Sequence, residues 1–225
     1  MLRAGIAAVA LVWAVAAQAF TPTHLYQIEE VHGWTVRVAP GYTGDAQGRA
    51  AALAEVSRQL GNIAGVVPEP ALTHLRATTI WMEYRRTEPK RSVYHRSAGW
   101  LEENGFNPEK AKGIEIDHGI ITRPLIAPWS LMHELAHAYF DTVLDRRHSG
   151  LEEAYAMAVA SGRYERVMRN TGRRQPAYAL ASVSEFFAEH SEAYFGENDF
   201  QPATRAALAL FDPQAFAALR DIWGD

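Results

Sequence analysis

There is no cysteine among these 225 residues. That excludes disulfides and the lipid-modified cysteine of a bacterial lipoprotein, so the fold must rest on a packed core and on any metal it binds. An excess of positive charge is also missing. The 22 Lys and Arg residues stand against 26 Asp and Glu, a balance that gives no sign of nucleic-acid binding. Low-complexity tracts and internal repeats are absent. Long apolar runs are scarce. The segment from Ala4 to Ala17 is apolar apart from its glycine, but too short for a comfortable membrane span.

That segment reads as the core of a secretory signal over residues 1–19. Arg3 precedes it, and Ala17-Gln18-Ala19 follows as a small-x-small cleavage site. An uncleaved N-terminal anchor is the competing reading. With a cleaved signal the protein is exported, periplasmic or secreted, and keeps no stable membrane span. Removing Arg3 from the 22 basic residues leaves 21 against 26 acidic ones, a net charge of −5. Residues 20–225 suit one domain with two lobes, 20–127 and 128–225.

Periodicity predicts an α+β fold: a small αβ lobe followed by a helical lobe. Leu25 to Val31 and Trp34 to Val38 read as strands joined in a hairpin at His32-Gly33. Asp45 to Ile63 carries Leu53, Val56, Leu60 and Ile63 on one helical stripe. Pro68 to Leu75 reads as a short helix. Ala77 to Tyr84 and Gly113 to Asp117 read as strands, with a break over Thr87 to Lys90 and a possible extension at Ile120-Ile121. Ser92 to Asn104 resists assignment. Helices are expected over Pro128 to Leu144, Leu151 to Gly162, Ser184 to Phe195, Thr204 to Leu210 and Pro213 to Trp223. Tyr164 to Tyr178 reads as basic and irregular.

The chemistry concentrates in His133-Glu134-Leu135-Ala136-His137. Histidines four apart on a helix share one face, so both imidazoles reach one metal ion and Glu134 reaches a water on it. This H-E-x-x-H pattern is the core of a zinc hydrolase, usually a peptidase. The surrounding helix is apolar nearly all round and therefore buried. Buried ionisable groups demand partners or a metal. Two core histidines bonded to backbone would be the bland alternative.

A third ligand is needed. The extended pattern ending in a third histidine requires glycine at 140 and histidine at 143, where this chain has Phe140 and Val143. His148 falls outside that spacing and reads as a solvated loop residue. Glu185 is the better candidate, giving a two-histidine, one-glutamate site. Glu189 lies one turn on and can orient a ligand histidine. Glu192 reads as a solvated partner for a basic side chain. Glu185 has a competing reading as a capping-box glutamate behind Ser182. Asp141 is read equally as a carboxylate supporting His137 or as a surface ion pair. Tyr94, His95 and Trp100 are read as lining the cleft or as packing. The strand at Gly113 to Asp117 is a candidate edge for an extended peptide.

His133-Glu-Leu-Ala-His137 followed by Glu185-Phe-Phe-Ala-Glu189 resembles the anthrax toxin lethal factor-like zinc metallopeptidases over residues 128–196. The resemblance implies a zincin-like fold, with a mixed sheet in the first lobe, as a compact bacterial member of the gluzincin type. It implies Glu185 as the third Zn²⁺ ligand, and Tyr178, seven residues before it, as support for the transition state. Glu134 would be the general base, and the substrate a peptide or protein. The large delivery and docking regions of the toxin have no counterpart here. Two other functions compete: a non-catalytic zinc-binding protein with a peptidase fold, and a zinc amidase acting on cell-wall peptides.

Overall fold

Both residues of the turn His32-Gly33 take positive φ, 51° and 90°, the backbone that matches the right-handed twist of a tight hairpin. It joins β1 (Gln27–Val31) to β2 (Trp34–Val38) in antiparallel register. A computed structural model describes residues 20–84, 92–121 and 127–224. Residues 1–19, read above as a secretory signal, and the expected break at Thr87 to Lys90 lie outside them.

After β2 the chain enters α1 (Ala46–Val66), with the Asp45 side chain accepting the Gly48 N–H as its cap. The short helix α2 (Ala71–Arg76) returns it to β3 (Ile80–Glu83), parallel to β2. Residues 92–104, unassigned from sequence, form the short strand β4 (Ser92–Tyr94) and the helix α3 (Ala98–Glu103). β5 (Ile114–Asp117) lies between β3 and β4, giving a five-stranded mixed sheet in the order β1-β2-β3-β5-β4. The fold is α+β. Because β4 pairs antiparallel with β5, the outer strand among the described residues is β4 and not the Gly113 to Asp117 strand expected from sequence. Ile120 and Ile121 do not extend the pairing. Asp117 Oδ1 accepts the Gly119 N–H at 2.8 Å and turns the chain into a 3-10 helix over His118–Ile121.

The sheet alternates strictly. Val36, Val38, Ile80, Met82, Ile114 and Ile116 face Val56, Leu60 and Ile63 of α1 in a core that continues to Trp223. On the opposite face Lys110 pairs with Glu83 and with Glu115, the latter at 2.7 Å, while Tyr26 donates to Glu83. These buried charges are tolerated because each has an opposite partner.

The second lobe is helical: α4 (Ser130–Thr142), α5 (Ser149–Ser161), α6 (Val183–Phe195), α7 (Arg205–Phe211) and α8 (Pro213–Trp223). The segment between α5 and α6, expected to be irregular, carries a minimal hairpin, β6 (Val167–Met168) with β7 (Arg174–Gln175). Pro128 lies in a turn ahead of α4 rather than inside its first turn. α4 packs against both β4 and α6. One close approach holds the helix pair together: a Cβ at Gly196 would lie 1.8 Å from the Trp129 ring. The absent side chain lets the start of α4 seat on the end of α6. No helix among the described residues is long and apolar enough to cross a membrane.

Candidate metal centre

The α4 face that carries His133 and His137 meets the first turn of α6. His133 Nε2 lies 3.1 Å from His137 Nε2 and 3.1 Å from Glu185 Oε2, and His137 Nε2 lies 3.2 Å from the same oxygen. The three predicted ligand atoms therefore form a nearly equilateral triangle. For an ion about 2.0–2.1 Å from each ligand, tetrahedral geometry separates the ligands by about 3.3–3.4 Å. The triangle fits such an ion closely.

The outer ring nitrogens of both histidines are engaged as well. His133 Nδ1 is 2.8 Å from Glu192 Oε1, and His137 Nδ1 is 2.8 Å from Ser184 Oγ. Were both imidazoles neutral with Nδ1–H donated outward, their inner lone pairs would point toward one another and toward a carboxylate oxygen. Three acceptors at this range repel unless a positive charge lies among them, either a proton on an imidazole or a metal ion. Burial opposes an imidazolium at His133, but Glu185 and Glu192 outweigh it and hold its pKa well above the ordinary value. Burial likewise opposes charge on Glu185, yet hydrogen bonds from both histidines keep its pKa well below the usual carboxylate range.

Glu185 answers both of its sequence readings. Ser182 Oγ caps α6 by accepting the Glu185 N–H at 3.1 Å, as the start signal requires. The Glu185 carboxylate does not close the capping box but points to the histidines.

The supporting carboxylates differ from expectation. Glu189 Oε1 is 3.6 Å from His133 Nδ1, beyond hydrogen-bond range, and Glu192 takes the contact instead. Glu192 is 3 % exposed, not solvated. A signal was present in the sequence, because Glu185, Glu189 and Glu192 follow the i, i+4, i+7 spacing of one helix face. Burial, and repulsion from Glu192 at Glu189 and from Asp199 at Glu192, push the pKa of both up. Asp141 does not support His137. It accepts the Tyr94 hydroxyl at 2.7 Å and pairs with Lys112, bracing β4 against α4. His148 caps α5 by accepting the Leu151 N–H, with no part in the triad.

Glu134 Oε2 accepts the backbone N–H of Tyr94 at 2.8 Å, which fixes the carboxylate between the triad helix and the sheet edge. Tyr178, half exposed, stacks on the His133 ring at 6.3 Å. Burial and the Glu185 carboxylate raise its pKa, so its hydroxyl stays protonated at neutral pH. Two cavities meet here, sharing His133, Glu134 and Tyr178. The larger, 870 Å³, runs along β4 past Tyr94, His95 and Trp100; the smaller is 610 Å³. Of these residues, His95 also pairs with Glu115, whereas Trp100 is 53 % exposed and stacks on Phe106. No family model, curated protein or solved structure matches this chain.

Proposed function

We propose that this protein is an exported zinc metallopeptidase of zincin-like fold, akin to the lethal factor-like family. The observation that carries the reading is the triangle of His133 Nε2, His137 Nε2 and Glu185 Oε2, three acceptors within 3.2 Å of one another. Two imidazoles and a carboxylate suit zinc among the common divalent ions. When bound there, zinc supplies Lewis acidity that lowers the pKa of water and polarises a scissile carbonyl.

The remaining steps belong to side chains. Glu134 is the general base: Tyr94 N–H holds its Oε2 edge, and Oε1 takes the proton of the attacking water and passes it to the leaving amine. Tyr178 donates its hydroxyl hydrogen to the developing oxyanion, a contribution of a few kcal/mol (~3 kcal/mol) in comparable sites. β4, the outer strand among the described residues, borders the larger cavity, and beyond the Tyr94 N–H held by Glu134 its edge offers an extended peptide a strand to pair with. The segment at residues 1–19 supports export.

The test is Glu134→Gln. The variant keeps its metal content and loses hydrolysis in an unbiased peptide library; full peptidase activity in it contradicts the assigned base. Peptidoglycan fragments assayed beside the library separate proteolysis from a cell-wall amidase. Turnover of neither by folded, metal-loaded protein supports a binding role.

A further inference from the structure

The two cavities that meet at the triad differ in chemistry. A peptide laid across His133 and Glu134 places the residues flanking its cleaved bond on either side, one toward each cavity. Besides the shared Glu134, the larger cavity carries two guanidiniums, Arg96 and Arg146, against two carboxylates, Asp141 and Glu185. Besides the shared Glu134, the smaller is lined by three carboxylates, Glu189, Glu192 and Asp199, with a single guanidinium, Arg169.

Arg169 is already committed. Its Nε and Nη2 both lie 2.8 Å from Asp199 Oδ2. Glu189 and Glu192 are left facing one cation-poor cavity. They are 4 % and 3 % exposed, and each keeps one buried oxygen with no hydrogen-bond partner among the described residues. An unpaired buried carboxylate oxygen costs free energy that a donor would recover. The rest of the lining includes Ala177, Leu180 and Phe200. A cavity with both apolar and acidic walls suits a side chain with a long aliphatic stem and a cationic head. A bare metal ion has no use for the apolar part.

We infer that the smaller cavity is the binding site for a lysine or arginine side chain of the substrate residue next to the cleaved bond. This rests on the peptidase reading and narrows it to basic peptides. Glu189 and Glu192 receive the cationic head, and Asp199 keeps Arg169 from occupying the same charge.

The experiment profiles the full-length, zinc-loaded protein on a mixed peptide library, with cleaved bonds read by mass spectrometry. Lysine and arginine are expected to be enriched at one of the two positions flanking the cut. Two peptides differing only in lysine or norleucine at that position then give a ratio of kcat/KM, expected to favour lysine by about tenfold or more. Any loss of metal affects both peptides alike and leaves the ratio unchanged. Glu189→Gln is expected to bring the ratio near one. Asp199→Asn frees Arg169 and is expected to lower it as well. Cleavage without basic enrichment overturns this inference alone, as does a ratio unchanged in both variants. No cleavage of any peptide overturns the peptidase reading and this inference with it.

Discussion

Glu192, not Glu189, should govern how tightly the site holds its metal. Glu192 Oε1 accepts from His133 Nδ1 at 2.8 Å, whereas Glu189 Oε1 stands off at 3.6 Å. A carboxylate on the outer nitrogen fixes the tautomer and raises the basicity of the inner one. Loss of such a partner typically weakens metal binding ten- to a hundredfold, or about 1.4–2.7 kcal/mol. Glu192→Gln keeps the shape and an acceptor oxygen but removes the charge, so its cost should fall in that range. Glu189→Gln removes a contact outside hydrogen-bond distance and should change affinity by less than about threefold. Competition for zinc against a chromophoric chelator, at one fixed pH, measures both constants. Protons compete for His133, whose pKa is raised, so the comparison requires identical buffers. A Glu189→Gln loss equal to or larger than that of Glu192→Gln would refute the reasoning.

Gly196→Ala forces a Cβ into the Trp129 ring, 1.8 Å away. The ring must move, and the variant should lose about 1–3 kcal/mol of stability in urea unfolding; a stability within about 0.5 kcal/mol of the parent would show that the contact yields freely. Asp141 carries the expected acid sensitivity. Burial opposes its charge, but Lys112 and Tyr94 hold its pKa below the usual aspartate value. Its contribution to stability is therefore present above the unfolded-state pKa and lost as pH falls through the lower folded value. Asp141→Asn should lower stability at neutral pH and flatten the acid limb of the unfolding profile; an unchanged acid limb would contradict this.

Local pattern carried the long elements and the two histidines that the structure brings together with Glu185. The stripe of Val56, Leu60 and Ile63 marks α1, and the His133 and His137 spacing marks α4, because helix geometry alone decides which residues share a face. Ser182 announced the start of α6 correctly, since a cap is a short-range event. What escaped depends on contacts far apart in sequence. β4 has only three residues, too few to show alternation, yet it covers β5 and supplies the N–H that holds Glu134. Glu192 looked solvated although its spacing puts it on the helix face of Glu185, because how far along α6 that face is pressed against α4 is set by contacts distant in sequence. Asp141 lies one turn beyond His137, but the Tyr94 hydroxyl and Lys112 draw it toward the sheet.

The central claim is that one cation sits among His133, His137 and Glu185. Crystals of zinc-loaded protein, measured on both sides of the zinc absorption edge, test it directly. The account predicts a single strong anomalous peak about 2.0–2.2 Å from His133 Nε2, His137 Nε2 and a Glu185 carboxylate oxygen. A peak elsewhere, or none at the triangle, contradicts it.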